Sequence, residues 1–150
     1  MALPNAELRV GEHFPDLEAC CRSSGRQPYL LFPGEHAQTL GSDLEIVPDE
    51  LLLIVPDGTW RKARKILHLN PFVQNLPRLT LPSGAASRYR LRKAPAPGAV
   101  STIEAVVRSL NLLESESCFD PALVPFERLI DDQIAAMGAE TYLKNHLNPR

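Results

Sequence analysis

A chain of 150 residues, 44% hydrophobic and 23% charged, has the composition of a globular domain and is long enough to bury a core. No apolar run approaches the roughly 18 residues of a membrane span, and the N-terminus lacks the charged head and apolar stretch of a signal peptide. A cytosolic protein is the default reading, and a cytoplasmic location is expected. The net charge is only −2, but it is unevenly spread: residues 57–93 hold nine Lys or Arg and a single acid.

In chain order, "NAELRVGEHFPDLEACCRS" predicts a short strand near residues 8–10 and a helix from Pro15. The apolar "PYLLFP" at 28–33 reads as a buried strand, and "GEHAQTLG" after it as a short helix or turn. "ELLLIV" at 50–55 is a second buried strand, continuous and apolar as parallel sheets prefer. A helix is predicted over 59–69, with Thr59 as N-cap and Asn70-Pro71 as its stop. "RLTL" at 78–81 is a third strand, followed by a long Pro- and Gly-rich connection over 82–100. Ser101 and Glu104 then have the spacing of a capping box, opening a helix whose apolar face is Ile103, Val106, Val107 and Leu110. A last helix is predicted over 121–145, with Phe126, Leu129, Ile130, Ile134 and Met137 as its core stripe. Strand–helix alternation of this kind predicts a single α/β domain, a mainly parallel sheet with flanking helices.

The residues that could carry chemistry lie in two stretches. In "IVPDGTWRKARK", Asp57 falls two residues beyond the second strand, at the edge where open parallel sheets bind ligands. Taken alone, Asp57 is a partner for the helix dipole, Trp60 is core, and the basic side chains are a solvated face. In "PSGAASRYRLRKAPAPGAVSTIEA", an extended 87–93 would set Arg88, Arg90 and Arg92 on one side, with Tyr89 and Lys93 opposite. Three guanidiniums in line suit phosphates and a tyrosine suits a base, although an exposed edge strand guarded by its charges would look the same. The small residues there let backbone approach a ligand, and the helix start at Ser101 and Thr102 offers N–H groups to an anion. Cys20, Cys21 and Cys118 form neither a CxxC nor a disulfide framework, and with four scattered histidines they have no zinc-ligand spacing. Free thiols and no metal are expected.

Three ordered motifs, "YLLFPGEHAQTL", "DGTW" with its basic helix, and "SRYRLRKAP" leading to "PGAVSTIEAV", resemble the DTW-domain family, named for D-x-T-W. That resemblance implies a SPOUT-like α/β fold, in which the chain can be knotted and which often dimerises, so a homodimer is open. It implies an S-adenosylmethionine-dependent tRNA-uridine aminocarboxypropyltransferase, which moves the 3-amino-3-carboxypropyl group to N3 of a uridine and releases methylthioadenosine. Catalytic positions by this analogy are Asp57, Thr59 and Trp60. The cofactor would be held around Pro33, Gly34, Ser83, Gly84, Gly98, Ser101 and Thr102. RNA would meet Arg61, Arg64, Arg88, Tyr89, Arg90, Arg92 and Lys93. Tyr89 apart, these are cations; neither DNA nor a membrane is an expected partner. Family members commonly begin with a cysteine-rich cluster that this chain does not show, so an N-terminally short DTW domain is expected. Ribosomal RNA as the substrate, and a catalytically impaired RNA-binding module, are the alternatives.

Overall fold

The computed structural model describes residue 3 and residues 5–41, 47–84, 86–91, 98–114 and 117–142. The chain divides after Pro82 into two compact units.

The first unit holds a four-stranded sheet built from β1 (Gln27–Leu31), β2 (Gln38–Thr39), β3 (Leu51–Ile54) and β4 (Arg78–Thr80). The order is β2-β4-β1-β3 and every pairing is parallel. Around it lie α1 (Leu17–Ser23), α2 (Trp60–Leu69) and α3 (Pro71–Gln74). Register sets Leu30 of β1 level with Ile54 of β3 and Arg78 of β4. Because side chains alternate along a strand, Leu30 and Phe32 share one face. That face packs, together with Ile54, on Leu67 of α2 and Val73 of α3. Leu31 and Leu79, also in register, belong to the opposite face and are buried as well.

Two expectations are corrected in this unit. Residues 34–41 do begin with a turn, where the Ala37 amide donates to Gly34 O, but Gln38 and Thr39 then form the edge strand β2. Two residues carry no periodicity, and it is the exposed edge of β4 that makes them a strand. Residues 8–10 form no strand, and Leu8 and Val10 are 83% and 92% exposed. Their neighbourhood is tied down by a side chain instead. Asn70, buried at the α2–α3 junction, donates from Nδ2 to Glu12 O and Ile66 O, and its Oδ1 accepts from the Phe14 amide, each at 2.7 Å. Asn70→Ala would leave a buried N–H and two carbonyls unmatched. It should lower unfolding free energy by about 2–3 kcal/mol, measured by urea titration; a loss below about 0.5 kcal/mol would mean that the segment is held by something else.

The second unit contains α4 (Thr102–Leu113), a 3₁₀ turn (Asp120–Leu123), α5 (Val124–Met137) and α6 (Ala139–Tyr142). The capping box is present: the Ser101 hydroxyl accepts from the Glu104 amide, and the Glu104 carboxylate accepts from the Ser101 amide. On α4, Val107 is buried and Ile103, Val106 and Leu110 are half-buried. The last helix is shorter than expected, because Gly138 turns the chain at φ 84 after Met137, a conformation glycine adopts without steric penalty. Residues 143–145 lie outside the described residues. In its stripe Ile130 is buried and Phe126 and Ile134 are half-buried, but Leu129 and Met137 are 54% and 38% exposed. Leu129 stands about 100° around the helix from Ile130, and Met137 is its final residue, so neither is core.

Candidate functional site

Between β3 and α2 the chain passes from strand to helix over residues 55–59. Gly58 adopts φ 127, a region that L side chains rarely enter, and Thr59 is the N-cap, its hydroxyl accepting from the Lys62 amide at 3.3 Å. Asp57 is exposed and forms no hydrogen bond or ion pair among the described residues. Helix capping therefore falls to Thr59, and the Asp57 carboxylate is left available at the carboxyl edge of the sheet. Trp60, the first helical residue, is half-buried, with its ring centroid 5.4 Å from that of Phe32 and the planes tilted by 58°. Phe32 follows β1 directly, so two paired parallel strands each send an aromatic ring past their carboxyl ends.

These rings open a pocket of about 370 Å³. Trp60, Arg64, Leu67 and His68 recur at helical spacing and make one wall. Phe32 and Pro33 form another, completed by Gln74 of α3 and Arg78 of β4. Arg78 is held in place: its guanidinium carbon stands 5.9 Å above the Phe32 ring and its Nη1 donates to Pro33 O at 3.3 Å. A Cβ at Gly34 would come within 2.7 Å of that Nη1 and 3.0 Å of Arg78 Cδ, so Gly34 makes room for the arm. No acid lines the pocket. Lys65 is paired with Glu12 at 2.5 Å, whereas Arg61, Lys62 and Arg64 have no carboxylate partner among the described residues.

The second unit organises its candidates around Glu104, which is 1% exposed. Its carboxylate accepts from the Ser87 hydroxyl and the Arg88 amide at 2.6 Å, from the Ser101 hydroxyl at 2.7 Å and from the Ser101 amide at 2.9 Å. Burial by itself would raise the Glu104 pKa, but hydrogen bonds from Ser87, Ser101 and the two amides outweigh it and hold the carboxyl below its ordinary value. The expected extended run over 87–93 is corrected here. Residues 88–91 bend and turn, with the Arg90 amide donating to Arg88 O at 2.9 Å, because Glu104 draws Ser87 and Arg88 onto the start of α4. Arg88 and Arg90 instead reach Glu127 and Asp131, one turn apart on α5, and those hydrogen bonds raise both guanidinium pKa values. Tyr89 lies against Phe126, with ring centroids 5.5 Å apart. Ser83, Gly84 and Gly98 are exposed, and Gly98 takes φ 79 with open space around its Cα. Arg92 and Lys93 fall outside the described residues.

The expected site residues thus form two groups. In the first unit Pro33, Trp60 and Arg64 share the pocket, Gly34 shapes it, and Asp57, Thr59 and Arg61 do not line it. In the second, Ser101 and Arg88 meet on Glu104, while Thr102 opens α4. Phe32, His68, Gln74 and Arg78 escaped sequence reasoning. His68, four residues beyond Arg64, could have been found from helical spacing; Arg78 depends on strand register and left no local signal. Cys20, Cys21 and Cys118 are free, with Cys21 buried. Among the described residues, no His, Cys, Asp or Glu side chains are grouped to hold a metal ion, and no helix is long and apolar enough to cross a membrane.

The sequence profile of the DTW domain matches residues 1–134. The chain belongs to the DTW domain family. This DTW domain is similar to tRNA-uridine aminocarboxypropyltransferase 2 of Mus musculus, at 28% identity over 157 residues that cover 95% of the chain and 51% of the mouse protein. The protein of that name from Macaca fascicularis is 29% identical over 151 residues, covering 94% of the chain and 49% of the relative. That from Drosophila melanogaster is 31% identical over 131 residues, covering 83% and 51%. The DTW domain chain therefore spans about half the length of the curated relatives it matches. No solved structure matches it. The D-x-T-W signature of the DTW domain is the glycine-bent, threonine-capped turn that delivers Asp57 and Trp60 to the sheet edge.

Proposed function

We propose that this DTW domain transfers the 3-amino-3-carboxypropyl group of S-adenosylmethionine to N3 of a uridine in tRNA, releasing methylthioadenosine. The observation that carries the reading is the D-G-T-W turn, whose carboxylate, at the carboxyl edge of a parallel sheet, and whose neighbouring Arg61, Lys62 and Arg64 have no ion-pair partner among the described residues. Its support from relatives is similarity, at 28–31% identity, to proteins named tRNA-uridine aminocarboxypropyltransferase 2. A SPOUT-like fold accompanies the reading as an expectation from the resemblance, and a cytoplasmic location as one from the sequence pattern.

The chemistry asks for few groups. N3 of uridine is a weak nucleophile until it loses its proton, and in this reading Asp57 would accept it. N3 then attacks the carbon of the amino-acid chain bonded to sulfur; the carbon–sulfur bond breaks and its electron pair returns to the sulfonium, which leaves neutral. Backbone groups at Ser83, Gly84, Gly98 and Thr102 would hold the donor. At Gly98 no atom of the described residues stands within 4 Å of where a Cβ would be, so its backbone is accessible. Ser101 fits it less directly, because its hydroxyl and amide are both engaged by Glu104. Arg61 and Arg64 stand ready for RNA phosphates. For Arg88 and Arg90 a phosphate would have to displace Glu127 and Asp131, and exposed ion pairs of that kind are weakly held.

The deciding assay supplies unmodified tRNA and, separately, ribosomal RNA, with S-adenosylmethionine labelled either in its methyl carbon or in its aminocarboxypropyl carbons. Aminocarboxypropyl label entering tRNA is the expected result. Methyl label in RNA, transfer confined to ribosomal RNA, or binding of tRNA with no transfer at all would each overturn the assignment.

A further inference from the structure

We propose that the pocket between Phe32, Trp60 and α2 is a nucleotide subsite for single-stranded RNA. A base lodges against the Trp60–Phe32 pair, and its phosphate is held by Arg64, His68 and Arg78. The inference rests on RNA being the substrate and concerns how the strand is gripped rather than the transfer step, since Asp57 does not line this pocket.

Charge is the first argument. Elsewhere in this unit Arg9, Arg22 and Lys65 are each matched by a carboxylate, whereas Arg26, Arg61 and Lys62 have none among the described residues and line no pocket wall. Around the pocket Arg64 and Arg78 have no such partner among the described residues, and no acid lines the walls. Uncompensated cations in a concave, partly apolar site concentrate positive potential and attract an anion.

Geometry narrows the anion. Arg64 and His68 are one helical turn apart on the same wall, and Arg78 projects from the strand facing them. The contact from Arg78 Nη1 to Pro33 O fixes the guanidinium plane while leaving further donors of the fork for phosphate oxygens. A volume of about 370 Å³ is far more than a bare ion fills and lies in the range of small-molecule sites, roughly 300–1,000 Å³. The tilt of 58° between Trp60 and Phe32 means the rings are not closed face to face, so an aromatic surface remains for a base. An acidic peptide would satisfy the charge but not the aromatic wall, and a base in a duplex could not reach it.

Trp60 is the only tryptophan in the chain, which makes its emission a direct reporter. Titrating the whole chain with a short single-stranded oligouridylate should quench Trp60, and inorganic phosphate at equal phosphate concentration should not. Arg64→Gln should weaken the oligouridylate roughly tenfold and lower the log–log salt slope by about 0.7. Arg78→Lys, which keeps the charge but loses the fork, should weaken binding while leaving that slope nearly unchanged. Circular dichroism of both variants verifies the fold. Quenching by phosphate or by polyglutamate as strong as that by the oligouridylate would reduce the pocket to a general anion site and overturn the proposal. So would a silent Trp60, or an Arg64→Gln affinity and salt slope equal to the parent. Label transfer to tRNA with Trp60 silent would remove the subsite and keep the activity; quenching without transfer would do the reverse.

Discussion

Glu104→Gln is expected to lower the unfolding free energy by about 2–4 kcal/mol, the largest loss of any single polar substitution in the second unit. The carboxylate is an acceptor on both oxygens. One takes the Arg88 amide and the other takes both hydroxyls, of Ser87 and Ser101, and the Ser101 amide. An amide side chain must turn its NH2 toward one of those sets, placing donor against donor in a site that is 1% exposed. The effect has a defined pH dependence. Hydrogen bonding outweighs burial and holds Glu104 below the ordinary 4.5, so the folded state binds this proton less readily than the unfolded chain. The stabilisation is complete above about pH 4.5 and is lost as pH falls through the lowered folded-state value. Urea midpoints of parent and variant should therefore converge on acidification. Midpoints that fall in parallel between about pH 6 and pH 3 would show that Glu104 is not the titrating group.

The second large effect concerns activity. Asp57→Asn should reduce aminocarboxypropyl transfer by about 10²–10⁴-fold, the range of a lost general base, with RNA affinity nearly unchanged. The urea midpoint should not move, because Asp57 is exposed and engages nothing among the described residues. Two roles separate in the kinetics. A base lost from N3 lowers kcat and removes the acidic limb of its pH profile, whereas a lost grip on the ammonium of S-adenosylmethionine raises KM for that substrate. Full turnover in the variant would take Asp57 out of the mechanism altogether.

Much of the frame is written locally. Thr59 caps α2 because a hydroxyl one residue before a helix can reach the amide three residues on. Asn70-Pro71 stops the same helix, since proline has no amide to continue it. The runs at 28–33 and 50–55 do form parallel strands, but only β1 is buried, at Leu30 and Leu31; β3 lies at the sheet edge and its residues are half-buried. The missed elements lack such local causes. β2 exists through its pairing with β4, and Leu129 is apolar yet stands outside the buried arc of α5. A capping-box glutamate normally sits at the surface; nothing near Glu104 in sequence says that Ser87 and Arg88 will fold over it.

By itself the sequence determined the limits of α2, the capped start of α4, three of the four strands, the turn that presents Asp57, and the family the chain belongs to. Each of these follows from residues within a helical turn of one another or from an ordered motif. Only the tertiary structure decided which charges are free. Arg88 and Arg90 are neutralised by partners 39 and 41 residues away on α5, and Arg78 enters the pocket through a contact to Pro33 across 45 residues. A cation's availability is set by what folds beside it, and parallel strands joined by crossovers bring together residues that no local pattern relates.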